Sequence, residues 1–161
     1  MVKMNIGWLA FALVVGCADS DADKSDGMDT ATAEAVWAEI EGYEDWAQMD
    51  GYEGVLPATS VHNSHVQIWL NDIAMEDATN GVPLSDGAIV VKDTYADADG
   101  ASLNDISILK RIDGYSADAD DIFYAQYAPD GSINTAGTPD GCVGCHIAED
   151  TDGDGLTFNE E

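Results

Sequence analysis

The sequence has few positive charges. Of 161 residues, only 5 are Lys or Arg, against 32 Asp or Glu, and the formal net charge at pH 7 is -27. Nucleic acids and anionic lipid surfaces are bound through positive charge that neutralises phosphates, so this balance argues strongly against both as partners. It is compatible with a basic redox partner or with a saline habitat, and the composition does not choose between them.

The sequence also shows no apolar run of the length that crosses a bilayer. The apolar stretch 6–15 has ten residues and follows a short segment that carries one positive charge, Lys3. A membrane-spanning helix needs about 20 apolar residues. The short charged segment and the ten-residue apolar stretch therefore predict a signal peptide over residues 1–16.

The end of this segment resembles a bacterial lipobox. Val14, Val15 and Gly16 lead directly into Cys17. The pattern predicts cleavage before Cys17, acylation of its thiol and amine, and an exported protein whose only membrane contact is its lipid anchor, facing the periplasm or the cell surface. The alternative is an ordinary signal peptide with an incidental cysteine.

A highly acidic segment follows. Residues 18–30 contain five aspartates and almost no apolar side chain, which predicts that 17–30 is a disordered tether. About 145 residues remain after the signal peptide, enough for one domain with a sizeable core. We therefore expect a single folded domain over 31–161.

Cysteine and histidine are scarce but concentrated in one motif, Cys142-Val143-Gly144-Cys145-His146. Two thiols three positions apart, followed by an imidazole, suit attachment to the two vinyl groups of one c-type haem, with His146 as the iron ligand. A zinc site would need two further ligands, for which His62 and His65 are the candidates. A thioredoxin-like dithiol would follow a strand in a βαβ unit, and no such unit is predicted before Cys142.

The three cysteines are accounted for by these assignments. Cys17 would carry lipid, and Cys142 and Cys145 would carry haem, so none remains for a disulfide. An exported chain without disulfides must be stabilised by its core and its cofactor.

Hydrophobic periodicity predicts an α+β fold. Apolar residues at i, i+3, i+4 and i+7 predict an amphipathic helix from about residue 31 to Gly42. A second, short helix is predicted at 72–79, and strands are predicted at 64–70, 88–95, 106–112 and 122–127. The short connections favour one antiparallel sheet with the first helix packed on it and a haem-attachment segment at the C-terminal end.

The few cations of the predicted domain lie in strands. They are Lys92, Lys110 and Arg111. Strand alternation places Lys92 on a mostly apolar face with Ala88 and Val90, where an ammonium group needs a partner. The haem propionates or the porphyrin could be that partner, and the alternative is an edge-strand or snorkelling lysine that faces solvent.

The order of these segments resembles the cytochrome P-460 family, which includes the cytochromes c′-beta. The resemblance covers roughly residues 34–158 and is most specific in Asp86-Gly87-x-x-x-Val91-Lys92 and in a C-terminal C-x-x-C-H preceded by an aromatic strand. It implies a mainly antiparallel β fold with helices, His146 as the proximal ligand, and an open distal iron site for small nitrogen oxides. A homodimer is implied by the resemblance alone.

The resemblance also implies roles for individual residues. In the hydroxylamine-oxidising members, the lysine matched by Lys92 is joined covalently to the porphyrin, and a distal carboxylate handles protons. The c′-beta members have a hydrophobic distal pocket and bind nitric oxide. Our alignment places Ile106 at the carboxylate position, with Asp105 on the opposite strand face, and Ile122 at the position of the family's usual tryptophan.

These departures favour ligand binding or electron transfer over turnover, because oxidation of hydroxylamine needs a base within hydrogen-bond reach of the substrate. From the motif and the resemblance together, we expect a c-type haem protein that binds nitric oxide or oxidises hydroxylamine, with a simple electron-transfer cytochrome as the alternative. His62 or His65 could be a sixth iron ligand, as an electron-transfer haem requires, but the resemblance favours hydrogen-bonding histidines near the mouth of the site.

The acidic tail contains a second motif. Asp150, Asp152, Asp154 and Gly155, with Glu161 at the twelfth position, fit the calcium-loop pattern D-x-D-x-D-G-x5-E. Thr157 departs from the pattern at its usually aliphatic eighth position. The motif predicts calcium binding, hence a calcium-binding surface lipoprotein as a further alternative, and the competing interpretation is a solvated tail in a very acidic chain.

Overall fold

The computed structural model describes residues 27–58 and 65–149. The predicted signal peptide, Cys17, His62 and the calcium-loop motif lie outside the described residues. Asp29 and Thr30, at the end of the predicted tether, lie inside them. None of the helices within the described ranges has the length and apolar character to span a membrane.

The described residues form an α+β fold built on one antiparallel sheet. Its six strands follow one another in sequence order, each paired with its neighbour. The strands are β1 Leu56–Pro57, β2 His65–Leu70, β3 Ile89–Tyr95, β4 Leu103–Arg111, β5 Ile122–Tyr127 and β6 Ile133–Gly137. The helices are α1 Thr30–Glu39, α2 Asp72–Asn80 and α3 Asp140–Glu149, and 3-10 turns lie at Tyr43–Asp45 and Ala117–Ala119.

The predicted antiparallel sheet and both predicted helices are confirmed. The four predicted strands are present as β2 to β5, although β4 begins at Leu103, three residues before its predicted start. β1, β6 and the helical form of the cysteine segment were not predicted.

Side-chain caps fix the ends of the first two helices. Asp29 caps α1 by accepting a hydrogen bond from the Thr32 amide at 3.2 Å. Asn71 caps α2 by accepting from the Ala74 amide at 2.9 Å, and α2 ends at Gly81, whose φ of 60° suits a residue without Cβ. The Asn71 carboxamide also accepts from the Ile89 amide at 3.1 Å, so the cap joins α2 to β3.

Helices cover both faces of the sheet. The α1 face carries the larger core, where α1 packs on residues from β2 to β6 such as Trp69, Val91 and Phe123. The opposite face, here called the α3 face, carries a smaller core of Leu70, Val90, Leu109 and Tyr124 with α2 and α3 residues against it. Because both faces are covered, β3 is apolar at consecutive positions instead of alternating.

Candidate functional site

Helix α3 places the C-x-x-C-H residues on one side of the helix. At 3.6 residues per turn, Cys142, Cys145 and His146 share one face. The helix begins beside Pro139, whose carbonyl accepts hydrogen bonds from the amides of Cys142 at 2.9 Å and Val143 at 3.0 Å. The two thiols are free; Cys142 is half-buried against the α3-face core, and Cys145 is exposed.

The imidazole of the motif packs against the sheet. The His146 ring lies 5.3 Å from the ring of Tyr124, centroid to centroid, at an interplanar angle of 53°. Tyr124 belongs to the α3-face core and is only 5% exposed. An aromatic side chain of β5 therefore contacts the imidazole.

Lys92 lies on the α3 face, close to the two cysteines. It pairs with Ile68 on β2 and with Ser107 on β4, so it shares a face with Val90 and Ala88, as predicted. Burial lowers the pKa of Lys92 to about 8, opposed by interactions with Asp105, Cys142 and Cys145. A substantial fraction of this amine is therefore neutral just above neutral pH.

The other described cations are paired with carboxylates. Lys110, on the α1 face, forms an ion pair with Glu39 at the end of α1. Arg111 lies 3.8 Å from Asp113 and 3.7 Å from Asp121. Within 27–58 and 65–149, Lys92 has no such ion pair, although the protein is extremely acidic. Packing alone does not explain why an amine without an ion pair lies beside the C-x-x-C-H helix.

The register of β4 against β3 determines the faces on which Ile106 and Asp105 lie. β4 pairs with β3 through Thr94↔Asp105 and Asp93↔Ile106, which sends Asp105 to the α3 face and Ile106 into the α1-face core, where it is 3% exposed. The two residues do lie on opposite faces, as predicted, but the carboxylate is the one that shares a face with Lys92. The α3 face therefore has a candidate base.

The remaining predicted residues fall elsewhere. His65 pairs with Tyr95 and lies on the α1 face, away from the cysteine helix, so it joins neither a zinc site nor an iron site there. Ile122 is 4% exposed in the α3-face core. The described parts of the chain contain no group of three or more His, Cys, Asp or Glu side chains arranged to hold a metal ion.

A buried carboxylate that sequence reasoning missed lies on the α1 face. Asp93 is 3% exposed and accepts hydrogen bonds from the hydroxyls of Tyr43 at 2.8 Å and Tyr95 at 3.0 Å. Burial raises the pKa of Asp93 to about 6, although both hydrogen bonds favour its charged form. Tyr43 is 50 positions away in sequence, so no local pattern could reveal this pairing.

Asp93 should make stability depend on pH. Because its folded-state pKa of about 6 lies above the ordinary value, folding is favoured most when the carboxyl is protonated. The stabilisation is full below pH 4 and is lost as pH rises through 6, a difference of about 2 to 3 kcal/mol. Urea unfolding measures this effect. The free energy of unfolding should contain this loss between pH 4.5 and pH 7 in the wild type, and Asp93→Asn should lack it.

An exposed carboxylate supplies the control for that comparison. Glu41→Gln removes an exposed carboxylate, so it should change the free energy of unfolding by less than about 0.5 kcal/mol, as surface substitutions usually do. If the free energies of unfolding of wild type and Asp93→Asn changed equally with pH, the prediction would be wrong, because the Asp93 carboxyl would then have the same pKa in the folded and unfolded chains.

Comparison with known proteins adds no assignment. No protein-family model matches the chain, and no curated protein matches it significantly in sequence.

Proposed function

We propose that the protein is a c-type cytochrome that carries its haem on the α3 face and binds small nitrogen oxides there. The observation that carries this proposal is the C-x-x-C-H helix packed beside Lys92, a strand lysine without an ion pair among the described residues. Two free thiols and an imidazole on one helix face are the donor set that covalent haem attachment requires.

Each residue of the site would have a defined task. Cys142 and Cys145 would hold the porphyrin by thioether links, and His146, whose ring contacts Tyr124, would bind the iron. Lys92 would contact a propionate or the porphyrin itself. The haem would supply reversible one-electron chemistry and an iron position for a small ligand.

Asp105 extends the proposal to oxidation of hydroxylamine. This half-buried carboxylate shares the α3 face with Lys92, and the two groups interact electrostatically. A carboxylate that could accept a proton from the substrate, beside an amine whose pKa is lowered to about 8, is the kind of group that this oxidation needs. Nitric oxide binding and hydroxylamine oxidation are therefore both consistent with the side chains of this face.

The location and partner follow from the sequence. We propose a lipid anchor at Cys17, exposure to the periplasm or the cell surface, and a basic redox partner attracted by the net charge of -27. Calcium binding by the acidic tail and a homodimer remain predictions.

Absorption spectroscopy of the ferrous protein tests this proposal. We expect nitric oxide to change the main haem band of the wild type, and a strongly red-shifted band would indicate a bond between Lys92 and the porphyrin. Lys92→Met keeps the apolar stem without the amine, so it should abolish such a shift and weaken hydroxylamine oxidation by about a hundredfold, the usual loss when a proton-transfer group is removed.

Lys110→Met is the matched control, because Lys110 occupies a neighbouring strand but faces α1 and pairs with Glu39. It should leave the spectrum and the nitric oxide response unchanged. A six-coordinate spectrum that does not respond to nitric oxide would contradict the proposal and indicate simple electron transfer.

A further inference from the structure

The α1 face contains a chain of buried aromatic and acidic side chains. The rings of Tyr43 and Trp69 meet edge to face, with centroids 5.2 Å apart. The Tyr43 hydroxyl donates to Asp93 Oδ1, and the Tyr95 hydroxyl donates to Asp93 Oδ2. All four side chains are at most 8% exposed. Two phenols therefore share one buried carboxylate.

This arrangement changes the cost of oxidising a tyrosine. A buried phenol that loses one electron and keeps its proton becomes a cation in a medium of low dielectric constant, which is strongly unfavourable. Beside Asp93, the phenol O–H bond can break as the electron leaves, and the proton passes to the carboxylate. The site then changes from a carboxylate with a phenol to a carboxyl group with a neutral radical, so oxidation removes a buried charge.

We propose that Tyr43, Tyr95 and Asp93 form a redox-active site, in which a tyrosine gives one electron to a strong one-electron oxidant and its proton to Asp93. An external one-electron donor, such as an enediol reductant, then gives one electron to the tyrosyl radical while the proton moves from Asp93 back to the phenoxyl oxygen, which restores the phenol and the carboxylate. Tyr43 is the first donor, because its hydrogen bond to Asp93 is the shorter one and its ring contacts Trp69. Trp69 extends the electron path into β2.

The position of this site relates it to the cysteine helix. Lys92 and Asp93 are consecutive residues of β3, so one points to the α3 face and the other to the α1 face. The redox-active site therefore lies across a single sheet layer from the proposed haem. It does not depend on the haem, because any external oxidant of sufficient potential can take the electron.

Tyr127 provides an internal comparison. It is fully buried on the same face, and its hydroxyl donates to the Ala33 carbonyl at 2.8 Å. A peptide carbonyl is too weak a base to keep a proton, so oxidation of Tyr127 would leave a buried positive charge. Tyr115 cannot serve as such a comparison, because its hydroxyl donates to the Asp29 carboxylate at 2.9 Å and it therefore has a base of its own.

Radical trapping tests the proposal. The full chain carries Tyr115→Phe and is made once with ordinary and once with ring-deuterated tyrosine. It is illuminated with a ruthenium tris-bipyridyl photo-oxidant and a cobalt electron acceptor. The sample is then frozen, and the radical is measured by electron paramagnetic resonance. We expect a tyrosyl signal that narrows on deuteration. Its yield should fall about fivefold or more in Asp93→Asn, which removes the base shared by Tyr43 and Tyr95, and in Tyr43→Phe/Tyr95→Phe, which removes both phenols.

Tyr127→Phe in the same background should keep the yield, although it also removes a buried hydroxyl. Circular dichroism of each variant establishes that it is folded before the radical is measured. Unchanged yields in Asp93→Asn and Tyr43→Phe/Tyr95→Phe would overturn the proposal, as would an equal loss in Tyr127→Phe or the absence of a tyrosyl signal in the wild type. None of these results depends on whether haem is attached.

Discussion

A chain in which Cys142 and Cys145 are both changed to serine is expected to contain no covalently bound haem. Serine hydroxyls do not form the thioether links that thiols form with vinyl groups. The variant, expressed with a c-haem maturation system, should lose haem when it is denatured, so haem-dependent staining of a denaturing gel should disappear. It should also unfold at lower denaturant concentration, because a group that binds the folded state stabilises that state.

The third cysteine gives the matched control. Cys17→Ser should keep full haem staining and lose membrane attachment, because the proposed role of Cys17 is to carry lipid. Covalent haem that persists in Cys142→Ser/Cys145→Ser at the wild-type level would contradict the assignment of the motif.

Ile106→Asp is expected to destabilise the protein by about 3 to 5 kcal/mol or to prevent folding, because it puts an unpaired charge into the α1-face core. Ile106 is 3% exposed there, and its neighbours across β3 and β5 are Asp93 and Tyr127. The new carboxylate would therefore also repel the buried Asp93. The free energy of unfolding in urea at pH 7 measures the effect.

The adjacent residue is the control, because Asp105 is half-buried and points to the other face. Asp105→Ala should lower the free energy of unfolding much less than Ile106→Asp does, because Asp105 is only half-buried and its hydrogen bond from the Ser107 hydroxyl is long, at 3.4 Å, while it removes the candidate base beside Lys92. Similar losses of stability at both positions would show that the register of β3 and β4 differs from the one described.

Local sequence patterns predicted the central elements well. β3 and β5 are rich in β-branched and aromatic residues, and α2 lies between an asparagine cap and a glycine, so each carries its own signal. β1 has two residues, and β6 is a short edge strand that depends on its pairing with β5. Helix α3 contains Gly141 and Gly144, which weaken any intrinsic helix signal.

The candidate site was predicted in part, for similar reasons. The C-x-x-C-H spacing and the strand alternation that places Lys92 on one face with Ala88 and Val90 are local features, so both could be predicted from the sequence. Which of Asp105 and Ile106 shares a face with Lys92 depends on the register of β4 against β3, and no local pattern records that register. The buried role of Asp93 was missed because Tyr43, one of its two hydrogen-bond partners, is 50 positions away in sequence.

The central claim is that Cys142 and Cys145 carry a c-type haem, and the intact mass of the denatured protein tests it most directly. The chain is expressed with the c-haem maturation machinery, purified, denatured in acid and measured by mass spectrometry. We predict the mass of the polypeptide plus one haem, and a fragment containing residues 140–149 that retains the added mass. A polypeptide mass without haem, from cells in which a known c-type cytochrome matures normally, would contradict the account.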